Sequence, residues 1–186
     1  MHSCVNADTS YNVFAIVVDA TYPHLAHNSE RYTCTLKIVD MGQKVTKDGS
    51  VETSTLVIFG NKFEDCPIVQ RVGDIIRVHR VTVSEYHGFK MLTAKVNFTS
   101  SWVLFSPLSP QKTNNSRGLG FISDEDTCHS DQDEAILTPK EFRPMAFSGK
   151  NHSPINLKEQ NLIRELRIWL DKSTKSLQFL DTSKIT

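Results

Sequence analysis

A valine-rich stretch, residues 74–95, constrains the fold of this chain more than any other part of its sequence. Apolar and polar side chains alternate through it on both sides of residues 86–88, a pattern typical of two β-strands joined by a tight loop. The apolar parity reverses between Val78 and Val81. A strand accommodates such a reversal through one extra residue, so the sequence predicts a β-bulge near His79 and Arg80.

The polar side chains of this hairpin include cations, a histidine and an aromatic ring. Arg77, His79 and Tyr86 are expected on its polar face. A curved sheet that exposes cations and aromatics can contact phosphates and stack flat bases at the same time. The pattern therefore favours a single-stranded nucleic acid as the ligand of this surface.

The size and composition of the chain indicate one domain with an appendage. It has 186 residues and a mass of 21.0 kDa, with 39% hydrophobic and 23% charged residues. These fractions are ordinary for a globular protein. No apolar run approaches the ~20 residues that a membrane span needs. Residues 1–10 form a polar tail rather than a secretory signal, which favours a reducing compartment.

The cysteines and histidines do not form a metal-binding pattern. The four cysteines are far apart in sequence, and no Cys-x-x-Cys pair is present. Cys34 and Cys66 lie among apolar residues, which predicts two buried thiols. His24 and His27 have no third ligand nearby, so they do not predict a metal site either.

Charge is distributed unevenly along the chain, although the formal net charge is +0. Residues 11–105 contain ten Lys or Arg and nine Asp or Glu, whereas residues 106–135 contain two and six. A neutral folded region cannot bind nucleic acid mainly through bulk attraction to phosphate. Stacking and hydrogen bonds would have to contribute more, so we expect a shallow salt dependence of binding.

Three further strand patterns precede the hairpin. Apolar or alternating residues predict strands over residues 13–19, 32–40 and 55–59. A short helical plug is predicted over residues 61–69, and an apolar patch lies at residues 102–105. Five strands with a helix between the third and fourth form the oligonucleotide/oligosaccharide-binding (OB) pattern. The predicted fold is therefore mainly β, an α+β chain built on a Greek-key barrel.

The composition changes after the barrel. Residues 107–153 are rich in Pro, Ser, Asn and Asp, which predicts an acidic linker that is partly disordered. Asn156 and Glu159 match a capping box, and the apolar residues that follow predict an amphipathic helix at residues 157–172. The predicted organisation is an N-terminal tail (1–10), an OB domain (11–106), the linker (107–153), and the helix with the start of a following domain (154–186).

Four segments of the sequence together resemble a known family. They are Arg31-Tyr-Thr-Cys-Thr-Leu-Lys-Ile-Val-Asp40, Phe63-Glu-Asp-Cys-Pro-Ile68, Gly73-Asp-Ile-Ile-Arg-Val-His-Arg80 and Ser100-Ser-Trp-Val-Leu-Phe-Ser106. The combination is similar to the first OB domain of the telomere end-binding protein alpha subunit of ciliates and of the related protection-of-telomeres proteins. The similarity covers residues 11–106 and extends weakly into the C-terminal helix.

This resemblance implies a nuclear protein of the chromosome telomere. It would bind the G-rich single-stranded 3′ overhang and cap chromosome ends without catalysing a reaction. The chain would then be the N-terminal OB portion of a larger protein. The expected partners are the DNA, a second OB domain and a beta-type telomere protein subunit.

The resemblance also implies which residues contact DNA. By position in the family pattern, these are Tyr22, Arg31, Thr35, Lys37, Phe59, Arg77, His79, Arg80 and Tyr86. Lys62, Lys90 and Lys95 are further expected phosphate contacts. Tyr86 is expected to stack on a base and to matter more for affinity than Lys90. The family pattern has a pair of aromatics at the end of the fifth strand, where this chain keeps only Phe98.

Two other functions fit the residues themselves. The neutral charge also suits an OB module for protein–protein contact, and an RNA-binding OB domain would use the same cations and aromatics. An enzyme is not indicated, because the sequence has no phosphate-binding glycine loop and no nucleophile beside a base. No cofactor is predicted.

Overall fold

The computed structural model describes residues 10–27, 29–42, 51–86, 88–96, 98–108, 140–149 and 153–174. The strands in these ranges are β1 (Tyr11–Ala20), β2 (His24–Leu25), β3 (Tyr32–Val39), β4 (Ser54–Gly60), β5 (Ile75–Tyr86), β6 (Phe89–Lys95), β7 (Ser101–Phe105) and β8 (Ala146–Phe147). Two 3-10 turns, Phe63–Asp65 and Lys140–Phe142, and the helix α1 (Leu157–Thr174) complete the described elements.

Five strands close into a barrel in the order β1-β3-β4-β6-β5, and pairing of β1 with β5 completes the circle. All of these pairs are antiparallel except β4–β6, which is parallel. Alternate residues of each strand point inward and form an apolar interior. Its fully buried members include Leu36, Leu56, Ile58, Val78 and Ala94. The predicted OB-type fold class is confirmed.

A β-bulge bends β5 where the apolar parity of the sequence reverses. Tyr11 on β1 lies opposite Val81, but Val13 lies opposite Val78, so β5 has one extra residue between these pairs. Arg80 lies in the bulge with a φ of 56°, and its N–H donates to an Asn side-chain oxygen of β1 at 3.2 Å. The predicted bulge is confirmed, and it divides β5 into two halves with different neighbours.

A second layer covers the outward face of β1, β5 and β7. β7 pairs with the first half of β5, and β8 pairs with β7. α1 contributes Ile163, Leu166 and Leu170 to an apolar core that it shares with Ile75 and Phe105 of this wall. The predicted helix is therefore present.

Within the described residues no helix is both long enough and apolar enough to cross a membrane.

The segment after β4 is less helical than the sequence predicts. The plug expected over residues 61–69 is only the 3-10 turn Phe63–Asp65. Cys66 ends it with φ −96° and ψ 140°, because the residue that precedes a proline is disfavoured in helical geometry.

The apolar patch and part of the linker belong to the sheet. Residues 102–105 lie within β7, which is buried throughout. Inside the predicted linker, Phe142 packs into the second core and β8 extends the sheet. The acidic part of that linker, residues 109–139, lies outside the described residues, as do the tail at residues 1–9 and the end of the chain at residues 175–186.

Cys34 and Cys66 are both buried in the barrel, as the sequence predicts. Hydrogen bonding to Cys66, together with burial, raises the pKa of the Cys34 thiol. Cys34 is therefore a protonated packing residue at neutral pH, without the thiolate character that reactivity requires.

Candidate nucleic-acid interface

The outward side chains of β3, β4 and β6 form one continuous face, termed the outer wall. The strand registers place three rows across it: Lys37 beside Thr55, Thr35 beside Val57 and Thr93, and Thr33 beside Phe59 and Lys95. Lys37 and Lys95 are exposed, and Phe59 is half-buried. Thr33 and Thr93 are buried at 8% exposure each. Among the described residues, α1 packs on β1, β5 and β7 rather than on this wall.

A notch at one end of the outer wall combines aromatic rings with cations. It is lined by Arg31, Phe59, Gly60, Asn61, Lys95 and Phe98, and is termed the Phe59 notch. The guanidinium carbon of Arg31 lies 5.4 Å from the centre of the Phe98 ring, a cation–π distance. Phe98 is 61% exposed, so a planar ligand can reach its ring. The notch has no room for a molecule as large as water, so a base would stack on the exposed Phe98 ring at its rim, next to the Arg31 and Lys95 cations.

Gly60 and Asp65 fix the backbone on one side of the notch. The Asp65 carboxylate accepts hydrogen bonds from the backbone N–H groups of Asn61 and Lys62, both at 2.9 Å. A Cβ at position 60 would lie 2.3 Å from the Asp65 Cβ, so only glycine fits there. Trp102 donates its indole N–H to the Asp65 carbonyl at 2.6 Å and anchors the turn on the barrel.

Ser100 fixes the backbone on the other side of the notch. Its hydroxyl accepts the Lys95 N–H at 3.0 Å and donates to the Arg80 carbonyl at 2.9 Å. The N–H groups of Thr99 and Ser100 also bond the Lys95 carbonyl, at 3.1 and 3.0 Å. These bonds close the turn that carries Phe98 and hold its ring beside the barrel.

An aromatic cluster extends this surface beyond the notch. The Phe63 ring centre lies 5.5 Å from that of Tyr22 and 5.9 Å from that of Tyr32. Tyr22 is 62% exposed, as a base-stacking residue must be. Tyr32 follows Arg31 in the chain, so the cluster lies at the rim of the outer wall.

The cations of the outer wall are accessible to phosphates. Arg31, Lys37, Lys62 and Lys95 are all exposed. Lys37 Nζ lies 3.5 Å from a carboxylate oxygen of Asp19, and both side chains are about half exposed. An ion pair this exposed is worth little, so a phosphate can compete for the Lys37 ammonium.

The β5–β6 hairpin extends the outer wall past the barrel. Tyr86 ends β5 opposite Phe89, and the Tyr86 side chain lies outside the described part of the chain. Phe89 is 76% exposed and has the same strand parity as Met91 and Lys95. Lys90 has the opposite parity, and it lines a cleft of about 470 Å³ between the starts of β4 and β6.

Arg77 and His79 do not lie on the outer wall, which corrects the expectation from the sequence. They belong to the first half of β5, whose outward face α1 covers. Arg77 is 1% exposed and His79 is 9% exposed. Arg77 Nη1 and His79 Nε2 both bond the Glu159 carboxylate of α1, at 3.1 and 3.0 Å. A polar strand face can be buried when its charges are paired, and alternation alone does not reveal this.

Ser153 completes this set, which is termed the Glu159 cluster. Arg77 Nη2 donates to the Ser153 carbonyl at 2.7 Å, and the Ser153 hydroxyl lies 3.2 Å from His79 Nδ1. Burial and the neighbouring Arg77 charge lower the pKa of His79, so its imidazole is neutral at pH 7. A neutral ring can donate from Nε2 to Glu159 and accept at Nδ1 from Ser153. Burial also lowers the pKa of Arg77, an effect that the Glu159 carboxylate opposes.

Arg80 differs from its neighbours because the bulge turns it outward. Its side chain is exposed, and Nε donates to the carbonyl of Thr99 in the turn that carries Phe98. The structure thus gathers Arg31, Phe59 and Lys95 in the notch, with Arg80 beside it. Of the other predicted residues, Thr35 and Lys37 lie on the same wall, and Tyr22 and Lys62 lie at its rim.

The contacts predicted from the sequence do not include three exposed or partly exposed aromatics: Phe63, Phe89 and Phe98. Phe98 lies in a turn, where strand alternation assigns no face, and Phe63 lies in the segment for which the sequence predicts a helical plug. For Phe89 a signal was available, since it follows the hairpin glycine with the parity of Lys95. A search for aromatics beside turns would have found all three.

No metal site is formed by the part of the chain that the structure describes. Within it, no group of three or more His, Cys, Asp or Glu side chains is arranged around a common point. His24 is exposed, and its Nδ1 lies 3.0 Å from the carbonyl of Tyr22.

Comparison with known proteins identifies the family. Residues 4–178 match the family described as telomeric single-stranded DNA-binding POT1/CDC13. The chain belongs to this family. Telomere-binding protein subunit alpha of Stylonychia mytilus is 38% identical over 161 residues, and that of Sterkiella nova is 35% identical over 178 residues. The resemblance noted in the sequence is confirmed.

These POT1/CDC13 relatives are longer than the chain. The matches cover 84% and 93% of this chain but 29% and 32% of the Stylonychia and Sterkiella proteins. The telomere-binding protein 51 kDa subunit of Euplotes crassus, 31% identical over 168 residues, is matched over 33% of its length. The chain therefore spans about a third of the length of the curated relatives it matches.

Solved structures in the POT1/CDC13 family have the same fold. The crystal structure of fission yeast Pot1 with single-stranded DNA superposes with a TM-score of 0.57 at 17% identity, over 89% of this chain and 44% of that one. A second Pot1–DNA complex gives 0.57 at 18% identity, over 89% and 78%. These similarities establish the architecture of the barrel with its helix.

Proposed function

We propose that this chain binds the G-rich single-stranded DNA of the telomeric 3′ overhang on its outer wall. The observation that carries the proposal is the Phe59 notch, where Arg31, Lys95 and the exposed Phe98 ring converge. The POT1/CDC13 family description and the Pot1 complexes, which contain single-stranded DNA, support this class of ligand.

Binding would combine stacking with a small number of ionic contacts. Bases stack on the Phe98 and Phe59 rings, each stack contributing ~1–3 kcal/mol. Arg31 covers one side of Phe98, so its guanidinium can bond a base edge or a phosphate next to the stacked base. Lys95 and Lys62 contact the backbone on either side of the notch.

The biological role would be capping of chromosome ends in the nucleus, through occupancy of the overhang rather than through a catalysed reaction. The relatives carry the names of telomere-binding subunits, which supports this role. Their greater length supports a second OB domain that continues the binding surface of the outer wall. The designation "subunit alpha" supports a beta-type partner subunit.

A competition between oligonucleotides tests the ligand class. Fluorescence anisotropy is measured with a G-rich telomeric DNA, its C-rich complement and the G-rich sequence as RNA. We expect the G-rich DNA to bind most tightly. Equal affinity for both DNA strands would contradict the telomeric assignment, and tighter RNA binding would favour an RNA-binding OB domain.

A pair of variants tests the site. Phe98→Ala is expected to weaken binding of the G-rich DNA about 5- to 150-fold, the equivalent of one lost stack. Phe147→Ala is the matched control, because Phe147 is a half-exposed aromatic on β8, away from the outer wall. The proposal is contradicted if Phe98→Ala binds as tightly as the control.

A further inference from the structure

We infer that Glu159 of α1 is a positioning residue for the Phe59 notch, acting through His79, the Arg80 bulge and Ser100. The inference rests on the proposed function, since it names residues that set DNA affinity without touching DNA. The Glu159 cluster and the notch lie on different walls of the barrel, yet hydrogen bonds and the backbone of β5 connect them.

The Glu159 carboxylate is held in one orientation by both elements that it joins. Asn156 donates its N–H to Glu159 Oε2 at 3.0 Å and accepts the Glu159 N–H at 3.0 Å, forming a capping box. The same carboxylate bonds Arg77 and His79 of β5. Glu159 is 7% exposed, so water does not readily replace these partners. A shift of the α1 N-terminus is therefore transmitted to the side chain of His79.

The backbone that follows His79 adopts a conformation that its surroundings must maintain. Arg80 has a φ of 56°, a region that non-glycine residues rarely adopt and that persists where neighbouring contacts over-determine it. Glu159 restrains the residue before the bulge. Asn12 bonds the Arg80 N–H at 3.2 Å, and Ser100 bonds its carbonyl at 2.9 Å. The loss of one restraint shifts the bulge towards a more relaxed geometry.

Ser100 connects the bulge to the notch. Its hydroxyl bonds the Arg80 carbonyl and the Lys95 N–H, and the Arg80 side chain bonds Thr99 in the same turn. Each non-covalent link from Glu159 through His79, Arg80 and Ser100 to Lys95 is 3.0 Å or shorter. Displacement of the Arg80 carbonyl therefore moves Lys95 and the turn that places Phe98 over Arg31.

Coupling of this kind is reciprocal. If docking of the α1 N-terminus raises affinity for DNA, then bound DNA stabilises that docking by the same factor. Any partner or chain segment that pulls on α1 would then change how tightly the notch binds DNA, without contacting the nucleic acid.

Glu159→Gln tests the inference. It is expected to weaken binding of the G-rich oligonucleotide about 3- to 10-fold, within the range for coupling through packed networks. Affinity is measured at a temperature where circular dichroism shows both proteins folded. The control is Arg164→Gln, which removes another α1 contact, the exposed bond to Glu141, and should leave affinity unchanged. Equal affinity for Glu159→Gln and the control overturns the inference.

Two further measurements separate positioning from a general loss of stability. A ¹⁹F label on the Phe98 ring should shift in DNA-free Glu159→Gln and not in Arg164→Gln. In a Ser100→Ala background, Glu159→Gln should have no further effect on affinity, because the link is already broken. The inference is overturned if the ¹⁹F signal is unchanged. It is also overturned if the loss of affinity in the double variant equals the product of the losses in the two single variants. If Glu159→Gln does not fold, His79→Leu breaks the same link and the same outcomes apply.

The two proposals fail in different ways. If Phe98→Ala weakens binding but Glu159→Gln does not, the coupling is wrong and the DNA-binding function stands. If Phe98→Ala has no effect, the proposed binding site is wrong. The ¹⁹F signal then still decides whether α1 positions the notch.

Discussion

At the scale of single residues, one glycine determines how closely the turn after β4 approaches the barrel. Gly60→Ala is expected to destabilise the protein by about 1–3 kcal/mol, because its Cβ would lie 2.3 Å from the Asp65 Cβ and the turn must move. Chemical denaturation measures the change. Gly42→Ala is the control: its Cβ would meet only an Asp40 oxygen at 3.4 Å, so a change within about 0.5 kcal/mol is expected. Similar values for both would contradict the close approach.

His79 should make the fold sensitive to mild acid. Its pKa is lowered in the folded state, so the unfolded chain, with a pKa near 6.5, takes up the proton first as pH falls. The free energy of unfolding should therefore be level above pH ~7 and decrease below pH ~6.5, by at most ~1.4 kcal/mol per pH unit. His79→Gln removes this contribution. The free energy of unfolding is measured by denaturation between pH 7.5 and 5. If it decreases equally in both proteins as the pH falls, this role of His79 is excluded.

Strand parity predicts which residues share a face, but not which face is covered. Alternation within β3 and β4 puts Thr35, Lys37 and Phe59 on one outward wall, and the structure has them there. The same reasoning gave Arg77 and His79 to the ligand, although their carboxylate partner lies about 80 positions later in the chain. That pairing is a tertiary contact between distant segments, so no local pattern in β5 could reveal it.

At the scale of elements, α1 was predictable as a helix but not as a cover for β5. Its capping box and apolar stripe are local signals, and the structure has the helix within two residues of the predicted end. A stripe does not identify the surface on which it packs. The 3-10 turn after β4 is a case in which the predicted helix is too long. Apolar residues predict a longer helix there, but Pro67 ends it.

The two isoleucines of α1 allow a direct test of its docking. Ile163 is fully buried in the core against β1, β5 and β7, whereas Ile168 is 55% exposed. Ile163→Ala is expected to lower the free energy of unfolding by about 2–5 kcal/mol. Ile168→Ala should change it by about 0.5 kcal/mol or less. Equal effects in chemical denaturation would show that α1 does not pack on the barrel by the face described.

At the scale of the whole molecule, the barrel has one wall covered by α1 and one wall, the outer wall, that is open among the described residues. On the covered wall, the carboxylate of Glu159 on α1 neutralises the buried cation Arg77. The open wall keeps its cations exposed, yet the chain as a whole has a formal net charge of +0. Attraction between the whole protein and DNA is therefore weak, and local contacts at the notch must supply the affinity.

The salt dependence of binding measures how the affinity is divided between stacking and ionic contacts. If Arg31, Lys62 and Lys95 each neutralise one phosphate, the slope of log K against log salt should be about −2, at about −0.7 per phosphate for a single strand. Lys95→Ala should reduce the slope by about 0.7, whereas Phe98→Ala should lower affinity at every salt concentration and leave the slope unchanged. A wild-type slope steeper than about −4 would mean that many more phosphates are contacted. Stacking in the notch would then be a minor part of the binding energy.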